Sequence, residues 1–135
     1  VTVEWNGPEV TARVRQAVQR GLVRGGEDVR TEALRLILET AKTGRLYRRR
    51  SVTHQASAPG EAPASDTGTL VSRVVVDYSR LGGLVVSVGA HTAYAAYLEF
   101  GTRRMAPRPF MRPALAAKAK GIEADVAREV RAAVA

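Results

Sequence analysis

Two histidines, His54 and His91, stand far apart in the chain, and neither belongs to an HxxxH or HExxH pair. With no cysteine present, a zinc site would need both histidines plus carboxylates from scattered positions. Glu61, Asp66, Asp77 and Glu99 are the carboxylates of the middle region, and no two are spaced as a general acid and base. Ser51, Ser57, Ser65, Ser72, Ser79 and Ser87 lack a GxSxG elbow. Gly25-Gly26 is not a phosphate loop, because no GK[ST] follows it. The expectation is therefore no catalytic residue, no metal and no cofactor. A hydrolase or nuclease would have to rest on Asp66, Asp77 and His91.

Two groups of residues suit contact better than catalysis. Arg48, Arg49 and Arg50 follow Tyr47 and form a basic patch that could meet phosphates or an acidic partner. The stretch Ala93 to Pro113, AYAAYLEFGTRRMAPRPFMRP, is an anchor, a turn and an arm in series. Tyr97, Leu98 and Phe100 are expected to anchor a short helix to the sheet, with Glu99 pointing away. Gly101 is expected to take a positive φ and turn the chain. Thr102, Arg103 and Arg104 are then exposed. Pro107, Pro109 and Pro113 stiffen an extended arm that presents Phe110 and Met111, either to the chain's own core or to a neighbour.

Length and composition bound the elements that hold these residues. The 135 residues fit one domain over 1–135, and 45% hydrophobic residues are enough for a core. The net charge of +8 is uneven. Residues 1–50 hold eleven Lys/Arg against six Asp/Glu, residues 51–100 two against four, and residues 101–135 eight against three. Basic ends thus flank a mildly acidic middle, which motivates the rival reading of a small basic nucleic-acid-binding module. No helix-turn-helix, zinc-finger or RNP motif supports base-specific recognition. No apolar run approaches the roughly 20 residues of a membrane helix, and the start VTVEWNGPEV lacks the basic and apolar regions of a secretory signal.

Hydrophobic spacing predicts a long first helix from Asn6-Gly7-Pro8 to Thr43-Gly44, with Asn6 capping it and Gly25-Gly26 a point where it kinks or breaks. Residues 45–69 are poor in large apolar side chains and read as one long loop that orders on assembly. Leu70–Tyr78 and Leu84–Val88 are strand candidates, with Gly82-Gly83 as their hairpin turn. A short helix with Tyr97 and Phe100, the Pro-rich arm and a last helix from Pro113 to Ala133 follow. Leu115, Ile122, Val126 and Val130 form that helix's apolar stripe. The class is α+β with an antiparallel sheet.

The combination of LEFGT with APRPFMRPAL resembles the small neck, head–tail joining or tail-completion proteins of long-tailed double-stranded DNA phages and prophages. TGRLYRR, the APGEAP loop at Ala58–Pro63 and the VSVGAHTAYAAYLEFGT passage are similar too. Carried over by position, Tyr97, Glu99, Phe100, Gly101, Thr102, Pro107, Arg108, Pro109, Phe110 and Pro113 match the family's motif. The resemblance implies a non-enzymatic virion protein of the neck, assembled in the host cytoplasm. It implies a ring, six-fold, between head-closure or connector proteins and the tail terminator or tail tube, with non-specific contact to packaged DNA and no membrane. Arg48, Arg49, Arg50, Glu99, Thr102, Arg103, Arg104, Arg108, Phe110, Met111 and Arg112 are the expected interface residues. Arg108 or Arg112 is expected to pair with Glu99 of the same or the next subunit.

Overall fold

The computed structural model describes residues 1–135. Helix α1 spans Gly7–Leu38 and helix α4 Met111–Val134, with two small hairpins and two short helices between them. The chain is α+β. The hairpins are separate two-stranded antiparallel sheets, β1 (Leu46–Arg49) with β2 (Val52–Gln55) and β3 (Val74–Asp77) with β4 (Ser87–Ala90). The short helices are α2 (Thr69–Ser72) and α3 (Ala95–Phe100).

Helix α1 runs unbroken through Gly25-Gly26 for 32 residues, about 48 Å at 1.5 Å per residue. The glycines permit close approach rather than a kink. A Cβ on Gly21 would lie 2.6 Å from Val126 Cγ2, and one on Gly25 2.8 Å from Ile122 Cγ2, both on α4. Gly26 faces the second hairpin, where a Cβ would meet Val86 at 2.7 Å and Val76 at 2.9 Å. Ala17, Gly21, Gly25, Val29, Ala33 and Ile37 form one buried row at four-residue spacing. Rows of this kind are the ridges and grooves through which helices pack. The pairing of Gly21 with Val126 and of Gly25 with Ile122 makes α1 and α4 antiparallel.

The first helix begins as expected, with Asn6 at the N-cap position and proline in its first turn, but the Asn6 side chain makes no capping bond. It ends at Leu38, short of the expected Thr43-Gly44. The carbonyl of Leu36 there accepts from Thr40 Oγ1 and from Lys42 Nζ at 2.8 Å, which satisfies the helix end without another turn.

The core is small. Seventeen of 135 residues are buried, and large apolar side chains such as Trp5, Tyr97, Phe100 and Leu115 stay exposed. Val29, Ala33 and Ile37 from α1, Leu70, Val74, Ala95, Phe110 and Ala114 meet in one cluster. The second hairpin is fixed to α1 by polar contacts as well. Arg30 Nε donates to the Val74 carbonyl at 3.0 Å, Tyr78 donates to Glu27 at 2.5 Å, and Arg15 Nη1 donates to the Gly82 carbonyl at 3.0 Å.

Three expectations shift in the middle region. Residues 45–69 hold the β1–β2 hairpin, whose two-residue turn puts Arg50 at φ 55°. Leu70–Tyr78 is not one strand. Its start is the helical turn α2, entered through left-handed Gly68 (φ 78°), which brings Leu70 into the core. Gly82-Gly83 is not a two-residue turn either. Leu81–Gly83 forms a 3-10 turn closed by Leu84 at φ 60°, and β4 starts only at Ser87.

Candidate assembly site

The Ala93–Pro113 segment builds the junction between α3 and α4. Helix α4 starts at Met111 with Phe110 in the N-cap position, and phenylalanine has no side-chain acceptor for the helix's free N–H groups. Glu99 supplies that acceptor from α3. Its Oε2 accepts from the N–H of Phe110 at 2.9 Å and of Met111 at 3.0 Å, and its Oε1 from the N–H of Arg112 at 2.9 Å. Arg112 Nε adds a longer contact of 3.4 Å to the same oxygen. Burial pushes the Glu99 carboxyl up. The N–H groups of Phe110, Arg112 and Met111, with the Arg112 side chain, outweigh that and hold it below its ordinary value. The positive end of the α4 dipole favours the same ionised state.

The turn between the two helices is equally specified. Gly101 sits at φ 75°, and a Cβ there would lie 2.8 Å from the Met105 carbonyl and 2.9 Å from Pro107. Thr102 N–H donates to the Met105 carbonyl at 2.8 Å, closing the tip that carries Arg103 and Arg104 into solvent. Arg108 N–H donates to the Leu98 carbonyl at 2.6 Å, and the Pro107 carbonyl accepts from Gly60 N–H at 3.0 Å. Arg108 Nε reaches the carbonyl of buried Ser57 at 3.3 Å. Pro109 follows half-buried, and Pro113 in the first turn of α4 is exposed. The arm is thus strapped to residues 57–60.

This reverses the expected orientation of Tyr97, Glu99 and Phe100 on α3, while Leu98 packs against the core as expected. Glu99 is 6% exposed, whereas Tyr97 and Phe100 are 57% and 65% exposed. Ala95 and Glu99, four residues apart, form the inward face because α4 needs the carboxylate there. Phe110 lies wholly within the chain's own core and has no surface to offer a neighbour, while Met111 is half-buried beside it. Arg112 does pair with Glu99 within the chain, and its guanidinium lies 4.7 Å over the exposed Phe100 ring. Arg108 bonds backbone instead of a carboxylate. With Leu115 exposed on α4, Tyr97, Phe100 and Arg112 make an outward aromatic and cationic face.

The arginine run divides in two. All three arginines are exposed, but Arg49 is held by Asp66 at 2.8 Å. His54 Nε2 stands 3.5 Å from Asp66 and stacks on Tyr47, with ring centroids 5.5 Å apart. The hydrogen bond from Arg49 is the main cause that lowers the Asp66 carboxyl. Asp66 therefore ties the hairpin to the following loop. Asp77 and His91 lie towards opposite ends of the second hairpin, since Asp77 pairs with Ser87 and His91 stands four positions beyond Ser87, just past the end of β4; the bonds from Ser79 are the main cause that lowers the Asp77 carboxyl, with His91 a lesser one. No group of three or more His, Asp or Glu side chains is arranged to hold a metal. No helix is long and apolar enough to cross a membrane.

Sequence reasoning missed Glu61. Its carboxylate accepts from Thr43 N–H at 3.0 Å, Thr43 Oγ1 at 2.5 Å and Ala58 N–H at 2.8 Å, which carries its pKa down to about 2. It also missed the cap by Glu99. A signal for that existed, since PRPFMRP opens a helix with no Ser, Thr, Asp or Asn at its start.

No curated protein and no solved structure matches the chain. A family model described as "Bacteriophage HK97-gp10, putative tail-component" matches residues 9–101. The match takes in α1 through α3 with Tyr97, Glu99, Phe100 and Gly101, and it stops before the Pro-rich arm and α4. It spans more than half of the chain, which therefore belongs to the HK97-gp10-like family of phage tail components.

Proposed function

We propose that this chain is a structural, non-enzymatic neck protein of a tailed phage, a ring-forming head–tail connector or tail-completion component. Membership in a tail-component family supports a place in the virion. The observation that carries the finer reading is the aromatic and cationic face of Tyr97, Phe100, Arg112 and Leu115, exposed on a junction that Glu99 and Gly101 hold rigid. A closed ring needs two different complementary faces on each subunit. This face is one candidate. The exposed Arg48 and Arg50, and the tip that carries Arg103 and Arg104 beside Thr102, are cationic surfaces for acidic neighbours such as connector, terminator or tube proteins.

The test is assembly in infected or induced cells. Phe100→Glu places a charge on the proposed contact while leaving the Glu99 bonds intact. Filled heads separated from tails are expected in electron micrographs of the Phe100→Glu lysate, with the variant chain folded by circular dichroism. Normal yields of joined particles would overturn the reading. The nucleic-acid-binding alternative predicts affinity of the isolated chain for DNA that falls steeply as salt rises; in that case anisotropy titrations at two salt concentrations favour the alternative.

A further inference from the structure

Between α1, β4 and α4 lies an open apolar groove of about 300 Å³, room for one large side chain. Leu22, Val86, Val88, Leu115 and Ile122 line it over the side-chain-free surface of Gly25. It continues along α1 and α4 past Leu22 and Ile122 towards Val126 and Val130. Arg112 stands at its edge, which joins the groove to the Phe100 face.

The chain also carries a segment of matching shape and chemistry. Val1-Thr2-Val3-Glu4-Trp5 alternates apolar and polar residues, the pattern of a strand with one apolar side. It forms no helix or strand of its own, and Val3 and Trp5 are 87% and 86% exposed. We infer that Val3 and Trp5 of one copy seat in the α1–β4–α4 groove of a second copy, with Glu4 on the outer side facing Arg112 at the groove's edge.

Reach keeps the same chain out of the Gly25 end of the groove. Trp5 precedes the start of α1 at Gly7 by two residues, at most about 7 Å of extended chain. Gly25 lies 18 residues along the helix from Gly7, about 27 Å away. Val3 has about 14 Å of chain and also falls short of Leu22, which lies about 22 Å from Gly7. Only another subunit can bring Trp5 to the part of the groove lined by Val86, Leu115 and Ile122. A buried tryptophan contributes about 150–250 Å², well below the roughly 800 Å² per partner of a standard interface. The adjoining Phe100 and Leu115 surface must be covered in the same contact.

The inference rests on the self-assembly proposed above, and the test separates the two. Trp5 is the sole tryptophan, so its fluorescence reports this segment alone. The full chain is followed over rising concentration by sedimentation, with Trp5 emission and acrylamide quenching read on the same samples. Oligomers form and Trp5 emission shifts to the blue together. Trp5→Ala raises the half-assembly concentration at least about tenfold, as expected of a buried anchor. Leu115→Glu, at an exposed position in the groove, does the same and leaves Trp5 open to quencher in a chain that remains helical. Oligomers in which Trp5 stays exposed would overturn the groove contact while leaving self-assembly standing. A blue shift at monomer mass would overturn docking between copies. A monomer with exposed Trp5 at every concentration would overturn both.

Discussion

Replacing Glu99 by alanine removes the acceptor of three backbone N–H groups at the start of α4. Phe110 is fully buried, so its N–H finds no water in exchange, and one such orphaned donor costs about 1–3 kcal/mol. Met111 and Arg112 are nearer to solvent, and for them the loss is that of a helix cap, about 1 kcal/mol together. Removing the negative charge from the positive end of the helix adds about 0.3–1 kcal/mol. The variant regains part of this because no carboxylate has to be dehydrated. The net is about 3 kcal/mol, a fall in Tm of roughly 10 °C for a chain of this length. Glu99→Gln costs about half as much, roughly 1.5 kcal/mol, since either placement of its amide turns one NH2 towards N–H donors. Urea and thermal unfolding followed by circular dichroism measure both variants. The pH dependence follows from the same geometry. The folded carboxyl titrates below its ordinary value, so its stabilisation is complete above the unfolded pKa, about 4.3, and is lost as pH falls through the lower folded value. The advantage of wild type over Glu99→Gln therefore narrows as pH falls from above the unfolded pKa through the lower folded value. A Glu99→Ala chain within about 0.5 kcal/mol of wild type at neutral pH, or a gap to Glu99→Gln that stays constant into acid, would refute the clamp.

Two further outcomes follow from the glycines and from Glu61. Gly21→Ala gains helix propensity but drives a methyl into Val126, including its Cα at 3.0 Å, and is expected to destabilise by about 1–3 kcal/mol; Gly121→Ala on α4 meets nothing within 4 Å and is expected to stabilise by about 0.5–1 kcal/mol, so equal effects in denaturant melts would contradict the seam. Glu61 is expected to titrate at about 2 in carbon-detected carboxyl spectra, and to rise towards the ordinary value in Thr43→Ala; its stabilisation is complete above the ordinary carboxylate pKa and is lost as pH falls from there to about 2, and an unshifted Glu61 would remove the tie between residues 43 and 58.

The two long helices were legible because their apolar residues recur at helical spacing over many turns. What failed were features whose cause lies on another element. Gly25-Gly26 reads as a weak point in α1, and only the presence of Ile122 and Val86 across the seam turns it into a packing surface. The orientation of α3 follows hydrophobicity in a free helix, which favours Tyr97 and Phe100 inward. It is set instead by the unmet N–H groups of α4, eleven to thirteen residues later. Leu70–Tyr78 has strand composition throughout, yet the left-handed Gly68 ahead of it forces a helical turn before the chain can extend. The face of Tyr97, Phe100 and Arg112 came from residues already singled out; Arg112 points outward as expected, while Tyr97 and Phe100 exchanged places with Glu99.

The row of small residues on α1 has a consequence for how the two long helices stay in phase. Val126 rests over Gly21 and Ile122 over Gly25; one helical turn away, the same two side chains would meet the methyl group of Ala17 or the side chain of Val29 in place of a glycine. Steric fit along the seam thus favours the one alignment that sets both side chains on glycine. The ends reinforce it. Glu129 binds Arg20 and Arg24 at one end, and Glu99 grips the first N–H groups of α4 at the other. These two carboxylates pin the ends of a joint whose phase the two glycines set.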